Sequence, residues 1–290
     1  MGNLSVQTVG VFVAQLDDAY QIAVWRGIES RARELGVGIV CFVGHRIDSP
    51  IPSEAACNVA YRLADRRTID ALVVISSAIA TSFNDEVIAR LFPPRGLPQV
   101  SVGLKVPEVP SVTVDGCEGM RAVVSHLIQS HGKSRFALIR GPAGHPEAEQ
   151  RERAVRSTLH DCGLELDEAM TADGSFLRSL GRRAASDLLA RGRPFDALVC
   201  VNDLMALGAM EVLREAAIRV PQDVAVVGFD GIEEGRYVTP PLTTVMQPLD
   251  ALGRSAIDCA VEVMQSRVPQ DRVLTGSPVI RQSCGCAPKQ

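Results

Sequence analysis

Between Phe195 and Asp230 the chain reads FDALVCVND, then a helically spaced stretch, then VAVVGFD, and this segment narrows the possible architectures more than any other. Both runs are apolar at consecutive rather than alternate positions, the pattern of strands covered on both faces. Two such strands joined by a helix are parallel neighbours in an open sheet, so their carboxyl ends open on one edge. That edge receives Asn202, Asp203 and Asp230. It is also where open α/β sheets bind small molecules.

The alternation extends along the chain. Strands are expected at Val9–Ala14, Val37–Phe42, Asp70–Ile75, Gln99–Val102 and Ser111–Val114, with helices at Tyr20–Leu35, Ser53–Ala64 and near Asn84–Leu91. Pro93, Pro94 and Pro98 mark a loop. A second series follows, with helices Glu118–Gln129, Glu147–His160, Leu177–Ala190 and Leu204–Ala217 between strands at Phe136, Ala169, Ala197 and Val224. IDALVVIS at 69 is echoed by FDALVCVN at 195, an offset of 126, and VGVFVA at 9 by FALIRG at 136, an offset of 127. The expectation is an α/β protein of two similar doubly wound parallel-sheet lobes with a ligand cleft between them. After Asp230 only a strand, a helix and a strand pair through Val273–Arg281 remain, too little for a third domain. They must return to sheets already begun, which gives an N-terminal lobe of 8–116 plus 249–276 and a C-terminal lobe of 117–247 plus 277–286. The chain then crosses between lobes three times, a natural hinge.

Composition limits the function classes. With 46% hydrophobic and 22% charged residues the 290-residue chain can bury two ordinary cores, and no apolar run reaches the length of a membrane span. The start, MGNLSVQT, carries no secretory signal pattern, and with eight scattered cysteines it points to a reducing cytoplasm. Cys284-Gly285-Cys286 lacks a CxxC or zinc-finger spacing and is read as a fraying end, and His126 and His131 as residues flanking a helix C-terminus. No cofactor or metal is expected. A net charge of −4 argues against a basic nucleic-acid face, so these residues by themselves are not expected to bind duplex DNA. Nucleophile-elbow, P-loop, dinucleotide and HExxH motifs are missing, so an enzyme is not expected.

Several segments in order, GIESRARELG, HLIQSHGKSRFALIRGP, FDALVCVNDLMALGAMEVLREAAIRVPQDVAVVGFDG, PLTTVMQPLDALG and VIRQSCG, resemble the ligand-binding core of the LacI/GalR transcriptional regulators. That core is itself similar to type I periplasmic sugar-binding proteins. The resemblance runs from Val9 to about Cys286 and is most specific over 195–248. It implies an effector-sensing and dimerising core that binds a sugar, polyol or nucleoside-like metabolite between two lobes, as a homodimer. Hinge closure would be transmitted to a DNA-binding head, which is expected to lie outside these residues because only eight precede Val9. The alternatives are a sensor domain of a multidomain kinase or cyclase, or a transport solute-binding protein.

The resemblance also selects residues. Asp230 in GFDG matches the family's ligand-binding aspartate, whose carboxylate can accept from two adjacent hydroxyls. Arg151 falls where the family carries an arginine, although Ala154 and Val155 replace the usual glycine and aromatic. Phe176 stands where an aromatic packs on the ligand ring, and Gln247 matches a glutamine at the lobe crossing. From position alone, Asn202 is expected to face the cleft. Asp203, at the helix start, is expected to be an N-cap as well as a ligand candidate. Asp17, Asp18 and Tyr20 follow the first strand and Ser76 and Ser77 the third, so both loops belong to the carboxyl edge. Trp25 lies among Ile22, Ile28 and Ala32 at helical spacing and is read as core or dimer contact.

Overall fold

The structure is a computed structural model that describes residues 7–49, 51–93, 96–267 and 269–287. Pro94 of the proline loop and the first six residues of the N-terminal reading lie outside the described residues. The elements run β1 (Thr8–Val13), α1 (Ala19–Leu35), β2 (Gly38–Val43), α2 (Pro52–Cys57), β3 (Ala71–Val74), α3 (Ser76–Ile79), α4 (Asp85–Leu91), β4 (Gln99–Val102) and β5 (Ser111–Asp115). Next come α5 (Cys117–His131), β6 (Phe136–Arg140), α6 (Pro146–Asp161), β7 (Thr171–Asp173), α7 (Arg178–Ala190), β8 (Ala197–Cys200), α8 (Asp203–Glu215) and β9 (Ala225–Val227). The last are β10 (Thr244–Met246), α9 (Leu249–Met264), β11 (Arg272–Thr275) and β12 (Ser277–Val279).

The chain divides into two units. The first takes the described residues up to Val114 with Pro248–Leu274; the second takes Asp115–Gln247 with the described residues from Thr275 onward.

In the first unit six strands form one sheet in the order β11-β5-β4-β3-β1-β2, and β1 to β5 pair in parallel. Successive residues of a strand point to opposite faces. Val9, Val11 and Val13 of β1 accordingly pack on one side with α1 and α9, while Phe12 packs on the other with Tyr61, Leu72, Val74 and Leu91. Both faces are covered, as the uninterrupted apolar runs require. Helices α1 and α9 approach closely through glycines: a Cβ on Gly27 would lie 2.2 Å from the Asp250 carbonyl oxygen, and one on Gly253 2.1 Å from that of Val24.

The second unit holds a parallel four-stranded sheet, β7-β6-β8-β9, and an antiparallel pair, β10-β12. Parallel bridges from Val227 to Thr243 and from Asp230 to Met246 carry the main sheet on toward β10.

Three expectations need correction. The helix expected over 53–64 is α2 followed by a 3-10 turn, Asn58–Leu63. Asn58 Nδ2 donates to the Gly44 carbonyl at 2.6 Å and Tyr61 Oη to that of Val13 at 2.8 Å, so tertiary bonds override the helical repeat. The strand expected from Ala169 begins only at Thr171, because the Asp167 carboxylate caps a 3-10 turn through the Ala169 N–H at 2.8 Å. The strand pair expected through 273–281 is not a pair: β11 joins the first unit's sheet and β12 pairs with β10.

The C-terminal segment does not fray over its described part. Ser283 takes the Val226 N–H on its carbonyl at 2.9 Å, gives its hydroxyl to the Val226 carbonyl at 2.6 Å, and accepts from the Thr243 N–H at 2.7 Å. Ser283 and Cys284 are both fully buried.

Candidate ligand-binding site

Four elements of the second unit bring polar groups to the carboxyl edge of its sheet. Helix α6 contributes Arg151, whose apolar neighbours Ala154 and Val155 are buried while Arg153 on the opposite face is exposed. The residues that replace the family's glycine and aromatic therefore serve the core, and Arg151 itself lies inside, only 4% exposed. Its guanidinium lies 3.8 Å from the centroid of the Phe229 ring and 5.8 Å from that of Phe176. Nη1 donates to the Val201 carbonyl at 3.0 Å and lies 3.6 Å from Asp230 Oδ1, and Nη2 donates to Glu147 Oε2 at 3.3 Å. A stacked, forked cation of this kind offers planar, directional donors that an ammonium does not.

Asp230 follows β9 with φ at 118°, a left-handed conformation rare for a residue with a Cβ. Such strain persists where the surroundings enforce it, and it gathers at binding sites. The carboxyl is buried and accepts from Gln247 Nε2 at 2.7 Å. The other amide atom, Gln247 Oε1, is buried without a hydrogen-bond partner among the described residues. Phe176 is also left-handed, with φ at 62°, and its ring meets His145 edge to face at 4.9 Å between centroids.

The capping role expected of Asp203 falls to Asn202 instead. Asn202 is the N-cap of α8: its Oδ1 accepts from the Met205 N–H at 3.0 Å and its Nδ2 donates to the Phe176 carbonyl at 3.2 Å. Asp203 is the first helical residue, fully buried, and its Oδ2 accepts from the N–H groups of Gly231 and Ile232 at 2.8 and 2.9 Å. Its Oδ1 accepts from Thr244 Oγ1 at 2.6 Å. With both oxygens engaged, Asp203 holds the backbone beyond Asp230 in place and has little left for a ligand.

Burial governs the electrostatics. It pushes Asp203 up to about 7 against the pull of its three hydrogen bonds. It raises Asp230 well above the usual carboxylate range against the pull of Arg151, with Asp203 and Glu147 adding to the rise. Glu147 is raised for the same reason, again opposed by Arg151. Arg151 opposes the rise at Asp230 and Glu147, and Arg281 opposes it at Asp203, but burial outweighs both guanidinium groups. A protonated carboxyl both donates and accepts, which matches the two-way hydrogen bonding of a hydroxyl.

In the first unit, Asp18 is the N-cap of α1 and accepts from the Gln21 N–H at 2.9 Å, while Asp17 is exposed. Tyr20 Oη lies 3.1 Å from Ser77 Oγ, so these two residues do meet across the edge. Ser76 is fully buried and donates inward, to the Val102 carbonyl at 2.8 Å, with Ser101 Oγ at 2.7 Å. Its hydroxyl serves the sheet. Trp25 packs at the edge of the core around β1 and α9.

Sequence reasoning missed three participants in the second unit and one buried carboxylate in the first. Glu147 precedes Arg151 by four residues, a helical ion-pair spacing that could have flagged it. His145, the N-cap of α6, and Phe229, beneath Arg151, carried no signal beyond proximity to chosen residues. Asp48, in the loop after β2, holds Thr81 and Ser82 through Oδ2 while its buried Oδ1 has no partner among the described residues.

Comparison with known proteins bears on the family and the fold. The family model of the periplasmic binding protein-like domain matches residues 124–284. The HTH-type transcriptional repressor PurR of Aliivibrio fischeri is 28% identical over 282 residues, which cover 95% of this chain and 80% of that protein. The HTH-type transcriptional regulator CelR of Thermobifida fusca is 34% identical over 205 residues, 69% of this chain and 60% of that protein. Among solved structures, a complex of CelR with cellobiose superposes with a TM-score of 0.82 at 28% identity, covering 95% of this chain and 84% of that one. A LacI family regulator from Mycobacterium smegmatis gives 0.82 at 27% identity, covering 95% and 98%. These relatives are transcriptional regulators rather than enzymes. The chain belongs to the periplasmic-binding-protein-like domain family, as an effector-binding core of the kind carried by LacI-family regulators.

Proposed function

We propose that this chain senses a small polyhydroxylated metabolite, a sugar, polyol or nucleoside-like compound, and that Asp230, Arg151 and Gln247 form the centre of its recognition site. The observation that carries the reading is Asp230 itself. It is a buried carboxyl on a left-handed backbone, flanked by a guanidinium at 3.6 Å and a carboxamide whose buried oxygen has no partner among the described residues. A ligand hydroxyl donating to Gln247 Oε1 and bonding Asp230 would complete that set. Phe176 would give the ring face, and Asn202 would position the Phe176 backbone through its carbonyl. From the first unit, Tyr20, Ser77 and the exposed Asp17 would add contacts, with Asp18 and Ser76 holding those loops in shape.

In this reading the ligand shifts the population between two arrangements of a homodimer, and a helix-turn-helix head reads the duplex in response. The 290 residues themselves, at a net charge of −4, would not do so. One relative, CelR, is known in complex with cellobiose, which makes sugars the first class to try.

The test is a thermal-shift screen of sugars, polyols and nucleosides, followed by calorimetry of the best compound on wild type, Asp230→Ala and Gln247→Ala. Leaving a buried partner unpaired costs about 1–3 kcal/mol, so affinity should fall about tenfold to a hundredfold in each variant. The reading fails if no compound of these classes stabilises the protein, or if both variants bind like wild type.

A further inference from the structure

Four side chains that the effector site does not use converge at the C-terminal end of α5, wholly within the second unit. They are His126 and His131 of the helix and Cys284 and Cys286 of the C-terminal segment, and one ligand atom from each lies within 4.8 Å of all the others. The two imidazole Nε2 atoms are 3.2 Å apart. Cys286 Sγ lies 3.3 Å from His126 Nε2 and 3.4 Å from His131 Nε2, and Cys284 Sγ lies 3.7 Å from His126 Nε2. A zinc ion with nitrogen ligands at about 2.0–2.1 Å and thiolates at about 2.3 Å spaces tetrahedral nitrogens about 3.3 Å apart and a nitrogen–sulfur edge about 3.5 Å. The measured edges fall on either side of those values.

The chain builds this cluster with some care. The segment from Arg281 to Cys286 is stitched to β9 through Ser283, which fixes where both thiols emerge. Gly285, between them, takes φ of 115°, and a Cβ there would lie 2.9 Å from His131 Nδ1. Only glycine permits both the turn and the approach of the ring, so the Cys-Gly-Cys spacing, unlike a zinc-finger loop, is the one that fits here. Cys284 is fully buried and the other three residues are partly so.

We propose that His126, His131, Cys284 and Cys286 bind a single zinc ion in a closed tetrahedral site that clips the C-terminal segment to α5. Two neutral imidazoles and two thiolates around Zn²⁺ sum to zero charge, so the ion enters a largely buried place without leaving a net charge there. Without metal, the two Nε2 atoms share one proton across 3.2 Å and the Cys284 thiol donates to the Arg281 carbonyl at 3.1 Å. Loading frees both Nε2 atoms, moves that one proton to Nδ1 of its own ring while the other ring keeps the proton it already holds on Nδ1, and releases the two thiol protons to solvent. No oxidant or reductant takes part. All four positions are filled by protein, which makes the site structural and leaves no open place for water or substrate.

The experiment uses the tag-free 290-residue chain purified without chelator under reducing conditions. Elemental analysis should return one zinc per chain. Cobalt replacing zinc should give the strong visible bands of tetrahedral Co²⁺ together with thiolate-to-cobalt charge transfer. His131→Ala and Cys286→Ser should weaken zinc binding about 100-fold or more, with the far-ultraviolet circular dichroism retained. Should either variant fail to fold, the cobalt spectrum of the wild type still decides. Absence of bound zinc together with a six-coordinate cobalt spectrum would overturn the proposal. So would equal zinc content after replacing all four ligands, or a Cys284–Cys286 disulfide in the freshly reduced protein. None of these outcomes bears on effector binding.

Discussion

Asp203 does more internal work than the neighbours chosen with it. Three donors converge on its carboxylate, two of them from the backbone just beyond Asp230, so it fixes the turn that presents the proposed ligand-binding carboxyl. Its pKa is raised to about 7 by burial, above the roughly 3.9 of an unfolded aspartate. A raised acid binds its proton more tightly when folded. Stability from that preference is full below the unfolded value and is lost as pH climbs from about 4 to about 7. Asp230, raised alongside it, and Arg281, whose charge opposes the rise, face the same carboxyl. Asp203→Asn, which cannot ionise, should therefore trail wild type in melting temperature by more at about pH 5 than at about pH 8. Thermal melts across that range check it, and a gap independent of pH would mean that Asp203 is charged throughout. Asp230 was legible in the sequence because GFDG closes an apolar strand. The cap at Asn202 rather than Asp203 was not, because a one-residue shift in helix start turns an expected cap into a buried tie.

At the level of elements, the parallel strands could be read from their composition, since a strand covered on both faces has no polar position to confuse the period. Where side chains bond to distant backbone the reading failed, as with Asn58 and Tyr61 in the helix that becomes a 3-10 turn. It failed again at β11 and β12, adjacent in sequence but claimed by different sheets, because partner choice is a tertiary matter that local pattern does not encode. The Cys-Gly-Cys turn looked like a loose end for the same reason: its histidine neighbours come from about 150 residues earlier. The α1–α9 crossing rests on Gly27 and Gly253, each of which leaves no room for a methyl group against the facing backbone. Gly253→Ala should push the helices apart and cost about 1–3 kcal/mol. Denaturant titration measures this, and an unchanged midpoint would show that the crossing can relax freely.

For the molecule as a whole, two units each assembled from separate stretches of chain make sequence order a poor guide to completeness. The first unit needs α9, whose Leu252, Ala256, Ile257 and Ala260 pack with Val9, Val11 and Val13 of the first strand. A chain ended after Gln247 should keep most of the second unit's secondary structure but leave the first open to protease at β1 and α1. Limited proteolysis followed by mass spectrometry would show it, and equal resistance across both units would refute it. The same arrangement bears on synthesis. A ribosome releases β1 and α1 long before α9, so the face of β1 that these two helices share is not fully covered until α9 has been made. Until then the side of the first unit's sheet that packs on α9 must wait with part of its apolar surface exposed, a delay that invites chaperones.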